Sequence, residues 1–189
     1  PECENGGPGD PRMNGDAEGH KKFLIEEYTM VKETFKEIDK NIIANYYSMN
    51  GDVARLIMDR ETTKALDGII AIDHYVNTPE RLIKDIHHYD EQSGGKVVLG
   101  EWGAPIPDIN VEMTEEQQAE YIHQTFQKLL ESDDIVAINY LVNRDGSTEL
   151  WKGENKPKKG VAALTYYFKP FILSGIVTDR RGNPLHDVT

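Results

Sequence analysis

Apolar residues recur along this chain with two alternating rhythms. From about Gly19 to Lys40, Leu24, Tyr28, Val31, Phe35 and Ile38 follow one another at steps of four and three, which predicts an amphipathic helix. A short apolar run, Ile42-Ile43-Ala44-Asn45-Tyr46-Tyr47, reads as a strand bounded by Asn50-Gly51, and a weaker helical stretch spans Asp52 to about Ala65. Gly68 to Tyr75 is again apolar until its last three residues. Thr78-Pro79-Glu80 then opens a helix: threonine can cap the free N–H groups and proline stands where its missing donor costs nothing. Lys96 to Trp102 predicts a third strand, Thr114-Glu115-Glu116-Gln117 a capping box and helix, Asp134 to Val142 a fourth strand, and Val161 to Phe168 a last helix.

Strands that are apolar on both faces and separated by helices imply a parallel sheet covered on both sides. Two α/β architectures satisfy that pattern, a doubly wound sheet and an arc of a (β/α)₈ TIM barrel. The barrel is favoured by where polarity falls. Each strand turns polar at its C-terminal end: Asn45-Tyr46, Asp73-His74-Tyr75, Glu101-Trp102 and Asn139-Tyr140. In a barrel these ends converge on one mouth. Four βα units are half of what an eight-stranded barrel of about 250 residues needs. The chain opens on a loop-type composition, Pro1-Glu2-Cys3-Glu4-Asn5-Gly6-Gly7, and closes on a strand pattern that runs into Arg180-Arg181-Gly182-Asn183-Pro184. Both ends therefore read as cut, and the expectation is a fragment.

Composition narrows the chemistry. The 189 residues are 38 % hydrophobic and 29 % charged, the profile of an ordinary globular domain, with a net charge of −12. That balance argues against a grip on nucleic acid, which is built from clustered Lys and Arg. No apolar run approaches a membrane span, and the single cysteine, Cys3, excludes an internal disulfide. No His, Cys or Asp cluster has metal-ligand spacing, so neither metal nor cofactor is expected. Gly6-Gly7-Pro8-Gly9 lacks the lysine and preceding strand of a phosphate loop.

Glu101 is the sharpest chemical signal. It ends a strand between Gly100 and Gly103, with Trp102 beside it. A carboxylate there suits attack on an anomeric carbon, and equally suits a structural acid held by a helix N-terminus or an arginine. A retaining glycosidase needs a second carboxyl group roughly 5 Å away. The candidates are Glu2 and Glu4, which by themselves read as solvated loop acids. His74 reads either as lining the mouth or as a structural hydrogen-bonder, Asn45 as a substrate contact beside a core Tyr46, and His87-His88 as surface.

The order of elements resembles strands five to eight of the clan A retaining glycoside hydrolases, preceded by the loop after strand four. Gly100-Glu101-Trp102-Gly103 is similar to the strand-seven motif, which ends in the nucleophile. Asp73-His74-Tyr75 resembles strand six, in which a tyrosine hydrogen-bonds that nucleophile. Tyr140 to Lys158 resembles strand eight and its loop, where an aromatic residue floors the sugar subsite. The resemblance covers residues 1–170. It implies Glu101 as nucleophile, Tyr75 as its orienting partner, Glu2 as acid/base with Glu4 second, and a substrate lined by Trp151, Trp102, His74, Asn45 and Tyr140. Where the family has Asn-Glu-Pro, this chain has Pro1-Glu2-Cys3. The implied partner is an oligo- or polysaccharide cleaved at O-glycosidic bonds by double displacement, in a secreted or cell-surface setting, with the isolated fragment inactive. Residues 171–189 resemble the opening of a carboxypeptidase-regulatory-like β-sandwich, or else a plain C-terminal hairpin. Two competing expectations remain: a catalytically silent carbohydrate-binding barrel, and an unrelated α/β domain in which Glu101 stands far from Tyr75 and Trp151.

Overall fold

A computed structural model of the chain describes residues 16–42 and 48–169. Glu2, Glu4, Asn45 and residues 171–189 lie outside that range. Helix α1, Ala17–Ile38, opens where the Asp16 side chain accepts from Gly19 N at 2.9 Å, and it buries Leu24 and Tyr28. Among the described residues strand pairing begins at β1, Met49–Asn50. The expected first strand over 42–47 lies outside the described residues except for Ile42, and Asn50, expected to bound it, belongs to β1. The same Asn50 accepts from Asp52 N at 2.8 Å and starts α2, Gly51–Ile57. The single helix expected over 52–65 is two. Asp59 caps Thr62 N at 2.8 Å and starts α3, Arg60–Ala65, because a capping side chain must stand in non-helical backbone.

The remaining elements follow the apolar rhythm closely. They are β2 (Ile69–Asp73), α4 (Pro79–Ser93), β3 (Lys96–Trp102), α5 (Glu115–Leu129), β4 (Ile135–Tyr140) and α6 (Lys159–Phe168). Thr78 caps α4 and Gly94, at φ +66°, ends it; Thr114 and Gln117 form a reciprocal capping box on α5. A small antiparallel pair, β5 (Trp151–Lys152) and β6 (Lys156–Pro157), lies between β4 and α6.

The four long-range strands are parallel and ordered β1-β2-β3-β4. Right-handed crossovers in sequential order stack every helix on one face, whereas a doubly wound sheet reverses its order at a switch point. This sheet has no reversal. It is a mixed α/β fold consistent with an arc of a barrel, and no closed barrel forms among the described residues. Ile70 and Ile72 on β2 lie beside Val97 and Leu99 on β3, and all four are fully buried with Leu82, Ile86 and Ile122 from the helices. Ala71, Val98 and Ala137 share the opposite face.

Candidate active site

Strict alternation along β3 would place Glu101 on the same face as Val97 and Leu99, under the helices. A bulge prevents this. Ile72 is opposite Leu99, but the next residue, Asp73, is opposite Glu101, so one extra residue enters β3 between them. A bulge re-aims the side chains that follow it. Gly100 makes it possible here, because a Cβ at that position would stand 2.1 Å from the Ser48 Cβ. Glu101 thus comes beside Asp73 at the C-terminal edge of the sheet, and Trp102 turns inward.

Tyr75 leaves the end of β2 and donates its hydroxyl to Glu101 Oε2 at 3.0 Å. His74 N donates to the Glu101 carbonyl at 3.0 Å, which carries the β2–β3 pairing one step past the strand and fixes the turn that holds Tyr75. Glu101 and Tyr75 are both partly buried. A hollow of about 530 Å³ opens at this edge, lined among others by Asn50, Asp73, Tyr75, Asn77 and Arg81.

The His74 side chain turns toward α4. Its Nε2 lies 2.9 Å from Asp85 Oδ2, and its ring meets Tyr89 edge-on at 5.7 Å. Asp85 also accepts from Arg81 Nε at 2.8 and 2.9 Å. Burial would push the Asp85 carboxyl up, but the hydrogen bonds from Arg81 and His74 outweigh it and hold it below the usual range. Burial pushes His74 down more than Asp85 raises it, so a neutral imidazole donating through Nε2 fits both groups. His74 borders the hollow, and its Nε2 is engaged with Asp85 as the structural hydrogen-bonding alternative expects.

Two aromatic expectations change as well. Trp102 is fully enclosed, stacked on Tyr121 at 6.0 Å and edge-on to Phe126 at 5.9 Å and Tyr140 at 5.6 Å. No face of its ring is open to a sugar. The Tyr140 hydroxyl lies 2.8 Å from Thr148 O and 3.1 Å from Ala104 O and receives the Gln118 amide at 3.2 Å; burial pushes its pKa up. Gln118, buried on α5, also donates to Ala104 O at 2.9 Å. Tyr140 and Gln118 therefore tie the loop after β3 to the loop after β4, a structural role in place of a substrate contact. Trp151 sits on β5, half-buried against the core, with its backbone N–H donating to Asn143 O at 3.1 Å.

The structure thus brings Glu101 and Tyr75 together, while the acid/base candidates Glu2 and Glu4 and the candidate contact Asn45 lie outside the described residues. Asp73 was not singled out from the sequence, although it is 8 % exposed and directly opposite Glu101. Its signals are the polar end of an otherwise apolar strand and its place beside His74-Tyr75. Among the described residues no group of three or more His, Cys, Asp or Glu side chains is placed to hold a metal ion, and no helix is long and apolar enough to cross a membrane.

No family model and no curated protein matches the chain. Among solved structures, it is similar to a β-glucuronidase from an uncultured Clostridium sp., with a TM-score of 0.45 and 16 % identity over 76 % of this chain and 35 % of that one. It is also similar to a GH128 (subgroup V) exo-β-1,3-glucanase from Cryptococcus neoformans, with a TM-score of 0.49 and 13 % identity over 69 % of this chain and 56 % of that one. The chain spans about a third of the first and somewhat more than half of the second. At these scores and identities the likenesses carry no chemistry across.

Proposed function

We propose that this chain carries the nucleophile half of a retaining glycoside hydrolase. The observation that supports the reading is the 3.0 Å hydrogen bond from Tyr75 to Glu101, made at the C-terminal edge of a sequentially ordered parallel sheet. That edge is where barrel enzymes do their chemistry. In this reading residues 1–170 form the C-terminal half of the barrel and 171–189 begin an accessory β-sandwich.

The ionised Glu101 attacks the anomeric carbon, forming a carboxyl–carbon bond as the bond to the leaving oxygen breaks. Glu2, or Glu4 in its place, gives that oxygen its proton, then takes a proton from the water that hydrolyses the glycosyl-enzyme. Tyr75 holds Glu101 in line for attack and stabilises its charge until the bond forms. The substrate is an oligo- or polysaccharide.

Replacing Glu101 with Gln in the full-length protein tests the assignment. Hydrolysis of an activated aryl glycoside, which needs little acid assistance, should fall at least about a thousandfold while the folded signal by circular dichroism stays intact. A variant that folds and keeps more than about one per cent of the activity would rule out Glu101 as nucleophile.

A further inference from the structure

Tyr75, which reaches Glu101, is held in place through its neighbour. The β2–β3 pairing ends with Asp73 opposite Glu101, and His74 N carries it one step further by donating to the Glu101 carbonyl at 3.0 Å. The next residue sends its hydroxyl to the carboxylate of the same glutamate, also at 3.0 Å. His74 and Tyr75 thus hold Glu101 by main chain and side chain together. Any slack at His74 passes to both contacts.

The His74 ring is gripped by two helices outside the sheet. From α4, Asp85 Oδ2 lies 2.9 Å from its Nε2, and Tyr89 meets it edge-on. From α2, the Gly51 backbone closes on the other ring nitrogen: a Cβ there would stand 2.9 Å from His74 Nδ1 and 2.5 Å from the Tyr89 hydroxyl oxygen. Tyr89 donates to Gly51 O at 2.9 Å, which ties the start of α2 to α4 around the ring. The imidazole cannot swing without breaking one of these contacts.

Asp85 is the centre of the grip. It is buried, Arg81 Nε donates to both of its oxygens at 2.8 and 2.9 Å, and Arg55 Nη2 stands 4.0 Å away. A carboxylate fixed by an arginine, with little water to exchange partners with, is a rigid acceptor. Packing alone does not call for such a group, because an apolar residue fills the same space without the desolvation cost of a charge. Orientation does call for it, since reacting groups must be held to within about 0.5 Å.

We propose that Asp85 is a positioning residue: acting through the His74 ring, it holds Tyr75 where its hydroxyl aligns Glu101. The inference rests on the glycosidase reading and adds to it a residue from outside the sheet. The far side of Tyr75 is anchored separately, because Val76 O accepts from the Tyr121 hydroxyl at 2.8 Å and from Asn110 Nδ2 at 3.2 Å. Loss of Asp85 therefore loosens the tyrosine without freeing it.

The test measures kcat and KM of the full-length protein on the 4-nitrophenyl β-glycosides of glucose, galactose, mannose and xylose, and keeps the best substrate for the variants. Asp85→Ala should lower kcat by about tenfold to a hundredfold with KM within about twofold, because a misaligned nucleophile slows the chemistry and leaves binding alone. Asp85→Asn, which retains an acceptor for the ring, should recover most of that loss. In a double-mutant cycle, Asp85→Ala should add less than about threefold to the loss already caused by Tyr75→Phe, since both act on one contact. Should Asp85→Ala fail to fold by circular dichroism, His74→Leu, which fills the space of the ring and leaves Asp85 its arginine, carries the same expectations, with His74→Gln as the rescue. A folded variant with unchanged kcat, a loss carried by KM alone, or full multiplication with Tyr75→Phe would overturn the inference while leaving Glu101 in place. Absence of hydrolysis by the parent protein, or full activity in Glu101→Gln, would bring down the glycosidase reading and this inference with it.

Discussion

The two ends of the parallel sheet handle charge in opposite ways. Where the strands begin, Lys96 Nζ lies 3.0 Å from Asp90 and 3.5 Å from Asp134, and His87 lies 3.0 Å from Asp134 and 3.3 Å from Glu91. Each charge there has an opposite neighbour and a share of solvent. Where the strands end, Asp73 and Glu101 hold neighbouring register positions on adjacent strands beside a hollow, and the Tyr75 hydroxyl donates to Glu101. Exposed pairs of the first kind contribute little and constrain little.

The polar end is held up by an apolar one. Trp102, one residue beyond Glu101, is enclosed by Tyr121, Phe126 and Tyr140. Its replacement by Ala should destabilise the protein by about 3–5 kcal/mol, read as a shift in the urea midpoint, because no neighbour can fill the space of an indole. A loss under about 1 kcal/mol would mean that the ring is not a core residue, and the substrate-contact role would return.

A smaller contrast sets one aspartate against another. Asp85 is 5 % exposed and joins His74 to Arg81 behind the site, whereas Asp134 joins His87 to Lys96 at the open end. Asp85→Ala strands the buried imidazole edge and should cost about 2–4 kcal/mol. Asp134→Ala should cost much less, since water replaces its partners. Equal losses in parallel urea titrations would erase the distinction between the two ends.

Most of this scaffold was legible in the sequence. The third strand and the helices opened by Thr78-Pro79 and by Thr114 with Gln117 fell where their signals placed them, because caps and apolar periods are local. The strand at Met49–Asn50 was not legible, because two residues are too short to show a period. Glu101 and its tyrosine could be named from their motifs, but which way each side chain points depends on a bulge. No period reveals a bulge before its register is known, so the sequence places Trp102 among the substrate contacts although it is core. Asp85 was invisible for another reason. Its partner His74 lies eleven residues away on a different element, and only the packing of α4 on the sheet brings them together.

The finest difference between the two ends concerns protons. His74 and His87 each face an aspartate, yet burial pushes His74 below its ordinary value, whereas the hydrogen bond to Asp134, with Glu91 beside it, raises the exposed His87. The signs follow from which state binds more protons. For His74 the unfolded chain takes up a proton at a higher pH than the folded one. Stability is therefore fully present above about pH 6.5 and falls as pH drops from there toward the folded-state value. For His87 the folded chain holds its proton longer, so that contribution is fully present below about pH 6.5 and fades as pH rises through the raised value. Urea midpoints measured between pH 5 and 8 should show a stability loss on the acid side that shrinks in His74→Gln, and a weaker loss on the alkaline side that shrinks in His87→Gln. If His74→Gln left the acid limb unchanged, the imidazole would not be held neutral against Asp85. The two histidine–aspartate pairs would then differ in exposure alone.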